Sequence, residues 1–194
     1  MLNTFLVGTL LGVLSYDYLD NYMIIGIKGV EYYAEAHITP LNILVHTICM
    51  PYTIYGILYC TSTILFLNKK QIYYFSHLLY FIYGGHYLKI NLFGTLCYYI
   101  MYYPVVYYFN YNYNYQKVIL DTIKKKNIIS LPVCFYLFKN GFYIMFMGLF
   151  IQEIVGHYLD GDIASRPDGV ANAILYSMYF SSTELLHPFT YLYI

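Results

Sequence analysis

The sequence predicts an all-α fold, a polytopic helical membrane bundle of about four to six hydrophobic segments. Two observations predict it. The first is composition: 60% of the residues are hydrophobic and 10% are charged, against about 25% charged in an ordinary soluble domain. The second is a run from Ile43 to Leu67 with no Asp, Glu, Lys or Arg. As a helix it would be about 37 Å long, enough to cross a bilayer with some tilt. So apolar a chain is not disordered, and it has too few charges to coat a soluble surface. Ten basic residues balance ten acidic ones, so no basic field invites nucleic acid.

The chain is 194 residues long, for which one domain is the default. Residues 1–30 read as a hydrophobic N-terminal extension, 31–187 as a single membrane-embedded domain and 188–194 as a short tail. The segment Met1 to Leu14 has an apolar centre but no basic start and no cleavage site, and reads as membrane-associated. Pro40 suits a helix start with Thr39 as its N-cap, and Pro51 would kink the span that follows. Ile72–Leu88 is a second hydrophobic segment. Ile90–Phe109 is a third, with Pro104 near its end. Asn110 to Tyr115 alternates Asn and Tyr and reads as an interfacial linker. Gln116–Asn127 holds most of the lysines. Ile128–Ile151 is apolar but interrupted at Lys139-Asn140-Gly141, so it is one broken span or two half-length pieces. Gly156–Gly169 reads as a polar loop and Val170–Leu186 as the last hydrophobic segment.

If the first span ends at Lys69-Lys70 on the cytosolic side, the next two return the chain there at Lys117–Lys126. That side then holds six lysines, in the sense of the positive-inside rule. With one span over Ile128–Ile151, His46 and His157 emerge at the same membrane face.

Four cysteines, Cys49, Cys60, Cys97 and Cys134, lie in apolar runs without metal or disulfide spacing and read as small buried residues. The 29 tyrosines read as interfacial anchors together with AT-rich coding bias. Nucleotide-binding and hydrolase motifs are absent, as are the closely spaced histidine boxes of membrane desaturases. No internal repeat is visible.

Ionisable groups within or beside spans are expensive and therefore suspected of function. Asn42 and His46 are four residues apart on one helical face, and His37 can fold back toward it. Downstream, Glu153, His157 and Asp160 would form one helical stripe. Imidazoles with a carboxylate suit Fe, Zn or Cu, and open positions suit non-haem Fe(II) and oxygen. Each histidine taken singly reads more readily as a hydrogen-bonded helix-end residue at an interface, and it is the two clusters together that raise a metal site to an even alternative. His77 and His86 can join such a site or be satisfied within the bundle. Glu184 and His187 are three apart near the end of the last helix and can hold a ligand imidazole.

Together the two clusters resemble the 2-hydroxy fatty acid dioxygenases of the endoplasmic reticulum, small membrane proteins of phytosphingosine breakdown. Their first signature is Tyr, then His-x-x-Pro-x-Asn-x-x-x-His, then Pro five residues on. It is matched by Tyr33, His37, Pro40, Asn42, His46 and Pro51. Their second begins Gln-x-x-Gly-His and continues with an acidic residue and Gly, a basic residue and Pro, and Asn. It is matched by Gly156, His157, Asp160, Gly161, Arg166, Pro167 and Asn172, with a later Glu at Glu184. Glu153 stands where the family has Gln, Asp160 where it usually has Glu, and the loop at 162–165 is longer. The two motifs cover roughly a third of the chain.

The resemblance implies an Fe(II)-dependent dioxygenase that shortens long-chain 2-hydroxy fatty acids by one carbon. It implies His37, His46 and His157 as metal ligands. Asp160 would be a carboxylate ligand or its supporting partner, and Asn42 would orient a ligand or the substrate. Arg166 would pair with the substrate carboxylate. Glu153, Glu184 and His86 would be supporting groups around the ligands. The expected partners are a long-chain lipid, O₂ and membrane lipids, and not nucleic acid. Two other readings use the same residues: a non-catalytic lipid-binding or scaffold protein of this fold, and a small proton-coupled carrier. The missing repeat counts against the carrier.

Overall fold

Asn91 and Thr39 mark two helix starts by their side chains. Asn91 Oδ1 accepts from the backbone N–H groups of Phe93 (2.7 Å) and Gly94 (3.3 Å). Thr39 Oγ1 accepts from that of Asn42 (3.3 Å), so the expected N-cap before Pro40 is present. The computed structural model describes residues 2–22, 26–35, 37, 39–67, 73–125, 131–159 and 170–185. Among these, every regular element is helical: α1 (Leu2–Leu19), α2 (Gly26–Ala34), α3 (Pro40–Leu67), α4 (Tyr73–Leu88), α5 (Leu92–Lys125), α6 (Leu131–Ile151) and α7 (Val170–Leu185). A π-helical stretch, Gln152–Leu159, continues α6. The all-α expectation therefore holds. Most of the predicted polar loop, from Asp160 onward, and the tail at 188–194 lie outside the described residues.

Two stretches of described helix are long and apolar enough to cross a membrane, Pro40–Thr61 and Phe138–Leu159. They pack against each other antiparallel. A Cβ on Gly141 would lie 2.9 Å from Tyr59 Cβ, one on Gly148 would overlap Thr53 Oγ1, and one on Gly156 would lie 2.8 Å from Asn42 Oδ1. Small residues let helix backbones approach closely, which supplies packing energy where the surroundings are as apolar as the side chains. Much of α6 stays exposed on its other side, where Phe142, Phe146 and Phe150 stack along the helix.

The broken reading of the segment before His157 is corrected: α6 runs without interruption through Lys139-Asn140-Gly141. Gly141 packs directly against Tyr59 and Cys60 of α3, and Lys139 reaches along the helix to lie 5.5 Å from the Tyr143 ring centre. The Asn-Tyr linker is corrected as well. α5 passes through Pro104 and through Asn110–Tyr115. Within it, Asn110 and Asn112 find partners in the bundle. Asn110 Oδ1 accepts from Ser76 Oγ (3.0 Å), and its Nδ2 lies against the Val106 carbonyl (2.7 Å) and His77 Nδ1 (3.3 Å). Asn112 Nδ2 donates to Tyr55 Oη (3.1 Å).

Tyrosine also builds the core. Tyr80, Tyr87, Tyr98, Tyr102, Tyr176 and Tyr179 are buried together where α4, α5 and α7 meet. Four of these hydroxyls are satisfied inside the protein: Tyr80 by the Tyr99 carbonyl, Tyr87 by that of Leu175, Tyr98 by that of Tyr80 and Tyr102 by Ser181 Oγ. An aromatic with a polar end is stable in a core on that condition. α1 lies parallel to α4 through Gly8, Gly12 and Gly85. An ion pair between Lys89 and Asp17 (2.9 Å) ties their ends, and its hydrogen bond holds the Lys89 ammonium above its ordinary pKa. Gly26, at φ 68°, turns the chain into α2 and donates its N–H to Tyr176 Oη (2.8 Å). That conformation favours glycine.

Candidate metal centre

The stretch before α3, α3 itself and the π-helical stretch bring three histidines to one point. His37 stands just before α3, its N–H donating to the Ala34 carbonyl (2.9 Å). His46 lies on α3 one turn beyond Asn42, and His157 lies in the π-helical stretch after α6. All three are buried, at 5%, 4% and 3% exposure. Their ring centres are 4.3 Å (His37–His46), 4.9 Å (His37–His157) and 5.2 Å (His46–His157) apart. One nitrogen from each lies within 4.8 Å of the others, an arrangement able to hold a metal ion. Nitrogens sharing one ion at about 2.1 Å would be roughly 3.5 Å apart, so small ring movements close the site. Three protein ligands leave coordination positions for substrate or water.

Asn42 is fully buried and its amide faces His157 Nδ1 at 3.4 Å. The amide Nδ2 is the atom placed there; turning the amide end for end would present its oxygen to a protonated Nδ1 and leave Nε2 for a metal. Gly156 makes this possible, since a Cβ there would meet both Asn42 Oδ1 (2.8 Å) and His46 Cδ2 (3.5 Å). The Phe180 ring of α7 lies 5.3 Å from His37 and closes one side.

The other expected residues divide. Asp160 and Arg166 lie outside the described residues. Glu184 is on α7, one turn beyond Phe180. Glu153 is exposed, whereas its neighbour Gln152 is buried. His86 packs elsewhere, between Tyr16 (5.1 Å) and Tyr176 (5.9 Å), and among the described residues neither of its ring nitrogens has a hydrogen-bond partner. His77 is held by Asn110 within the α4–α5 pair.

Gln152 and Thr53 are the residues that sequence reasoning passed over. Gln152 Nε2 donates to Thr53 Oγ1 (2.9 Å) and to the Gly148 carbonyl (3.0 Å), and Thr53 Oγ1 donates to the Cys49 carbonyl (3.1 Å). Thr53 follows His46 by seven residues, a spacing that places it on the same face of α3. That spacing was the available signal. No protein-family model matches the chain, and neither a curated protein nor a solved structure does.

Proposed function

We propose that this chain is an integral membrane protein of the endoplasmic reticulum that binds Fe(II) at His37, His46 and His157 and shortens long-chain 2-hydroxy fatty acids by one carbon. The observation that carries the reading is the convergence of these histidines, buried together, from two motifs more than a hundred residues apart. Chance motif matches have no reason to meet in space. The antiparallel pairing of the two span-length helices supports it too, because it puts His46 and His157 at the same end of the pair.

A bound ferrous ion would supply a chelation point for a 2-hydroxy acid and a position for O₂. The reaction balances with O₂ as oxidant: the C1–C2 bond breaks, C1 leaves as CO₂, C2 becomes the new carboxyl and one water forms. The chain's own residues bind and orient. Asn42 holds the His157 ring by its Nδ1 side, leaving Nε2 directed at the shared point. The resemblance would give Arg166, whose planar fork suits a carboxylate, the role of pairing with the substrate, and Asp160 that of a carboxylate ligand or its supporting partner. Phe180 offers an apolar wall beside His37, which excludes water on that side. The acyl chain stays in the membrane, and entry is lateral.

The test uses membranes containing the full chain and a labelled long-chain 2-hydroxy acid. Production of the acid one carbon shorter should require Fe(II) and O₂, and should be lost in His37→Ala and in His157→Ala. Retained turnover in both variants would remove the ligand assignment. A folded wild-type protein that binds no iron would favour the non-catalytic lipid-binding reading.

A further inference from the structure

We infer that the π-helical stretch Gln152–Leu159 is a register device: it absorbs one surplus residue, so that Gln152 faces α3 as the positioning residue for His157 while the Glu153 carboxylate is turned outward. The inference rests on the reading that the histidine triad holds a metal.

The angles require a choice. An α-helix advances about 100° per residue, which sets Glu153 about 40° from His157 but Gln152 about 140° away. In that register, pointing His157 at α3 would also bring the Glu153 carboxylate against α3. The i→i+5 pattern advances only about 82° per residue, which brings Gln152 between Gly156 and His157, about 50° from the latter, and carries Glu153 to about 30° on the other side of His157, away from Gly156. Burial follows the second pattern: Gln152, Gly156 and His157 are buried, and Glu153 and Ile154 are exposed.

The inward place suits an amide and not a carboxylate. Gln152 Nε2 donates both to Thr53 Oγ1 and to the Gly148 carbonyl. Thr53 Oγ1 spends its own proton on the Cys49 carbonyl. A carboxylate has no proton for either oxygen and would be buried against them. Gln152 thus ties the start of the π-helical stretch to the face of α3 that carries Asn42 and His46. The rotation of His157 toward them is set by that tie.

The experiment titrates the purified full-length protein with Co²⁺ and follows the visible ligand-field bands. Deleting Glu153 leaves Gln152 four residues before His157, an α-helical spacing that keeps both inward. Its Co²⁺ affinity should stay within about threefold of wild type, with unchanged bands, whereas losing a supporting group typically costs about 10- to 100-fold. Gln152→Glu and Thr53→Val should each show that larger loss with shifted bands, and Thr53→Ser should restore wild-type behaviour. Combining Gln152→Glu with Thr53→Val should cost no more than either alone. If Gln152→Glu fails to fold, the Thr53→Val and Thr53→Ser pair decides by itself. Loss of Co²⁺ binding on deleting Glu153, or wild-type binding in Thr53→Val, would overturn the register inference alone. Absence of Co²⁺ binding by the wild-type protein would overturn the metal reading beneath it.

Discussion

At Gly156, one methyl group would reach 2.8 Å from Asn42 Oδ1 and 3.5 Å from His46 Cδ2. The first distance cannot be kept, so Gly156→Ala must displace the amide that steadies His157. The expected result is a metal affinity lower by about 10- to 100-fold with helix content unchanged, measured by Co²⁺ titration beside far-ultraviolet circular dichroism. An unaltered affinity would mean that Asn42 does not position His157. At this scale the sequence was informative about charged and imidazole groups, because they are costly in an apolar chain and therefore conspicuous. His37, His46 and His157 were legible in that way, and Asn42 by its place four residues before His46. Gln152 and Thr53 were not, since neutral side chains at unremarkable spacings announce nothing until a partner helix is beside them.

The α3–α6 pair is held by a different kind of contact. Gly56, Gly141 and Gly148 allow the two backbones to touch, and a Cβ on Gly56 would lie 2.7 Å from the Gly141 carbonyl oxygen. Gly148→Val should push the helices apart, costing about 1–3 kcal/mol by overpacking. Thermal unfolding of the detergent-solubilised protein would register it as a lower midpoint; an unchanged midpoint would show that the helices do not pack there. The helix through Asn110–Tyr115 teaches the complementary point. Asn and Tyr next to one another suggest a linker while their partners are unknown, yet Ser76, Val106 and Tyr55 hold Asn110 and Asn112 within a continuous α5. The interruption at Lys139-Asn140-Gly141 misled for the same reason. Local propensity counts Gly141 as a weak point, and packing against Tyr59 and Cys60 makes it a contact.

For the whole molecule, the antiparallel α3–α6 pair places the approach to His37 and the end of the π-helical stretch at one end. If both helices span, Glu35 and Tyr158, exposed at that end, face the same compartment. In a cysteine-free background, Glu35→Cys and Tyr158→Cys should be labelled by a membrane-impermeant maleimide from the same side of sealed vesicles. Labelling from opposite sides would rule out the pair as two spans. Tyrosine acquires its weight at this scale. Part of the excess that suggested interfacial anchoring instead forms an internal layer between α4, α5 and α7, where backbone carbonyls accept the Tyr80 and Tyr87 hydroxyl protons and Tyr102 is hydrogen-bonded to Ser181.

By itself the sequence determined that the chain is helical and apolar, and which few polar residues deserved suspicion. Those properties are set locally, by composition, by helix caps such as Thr39, and by the cost of placing ionisable groups in apolar surroundings. The tertiary structure alone decided that the three histidines meet and that α5 and α6 run unbroken. It also decided that Gln152 rather than Glu153 faces α3. Each of these depends on what a second helix places opposite a residue. A one-residue change of helical register reverses which side chain is buried, and only packing selects the register.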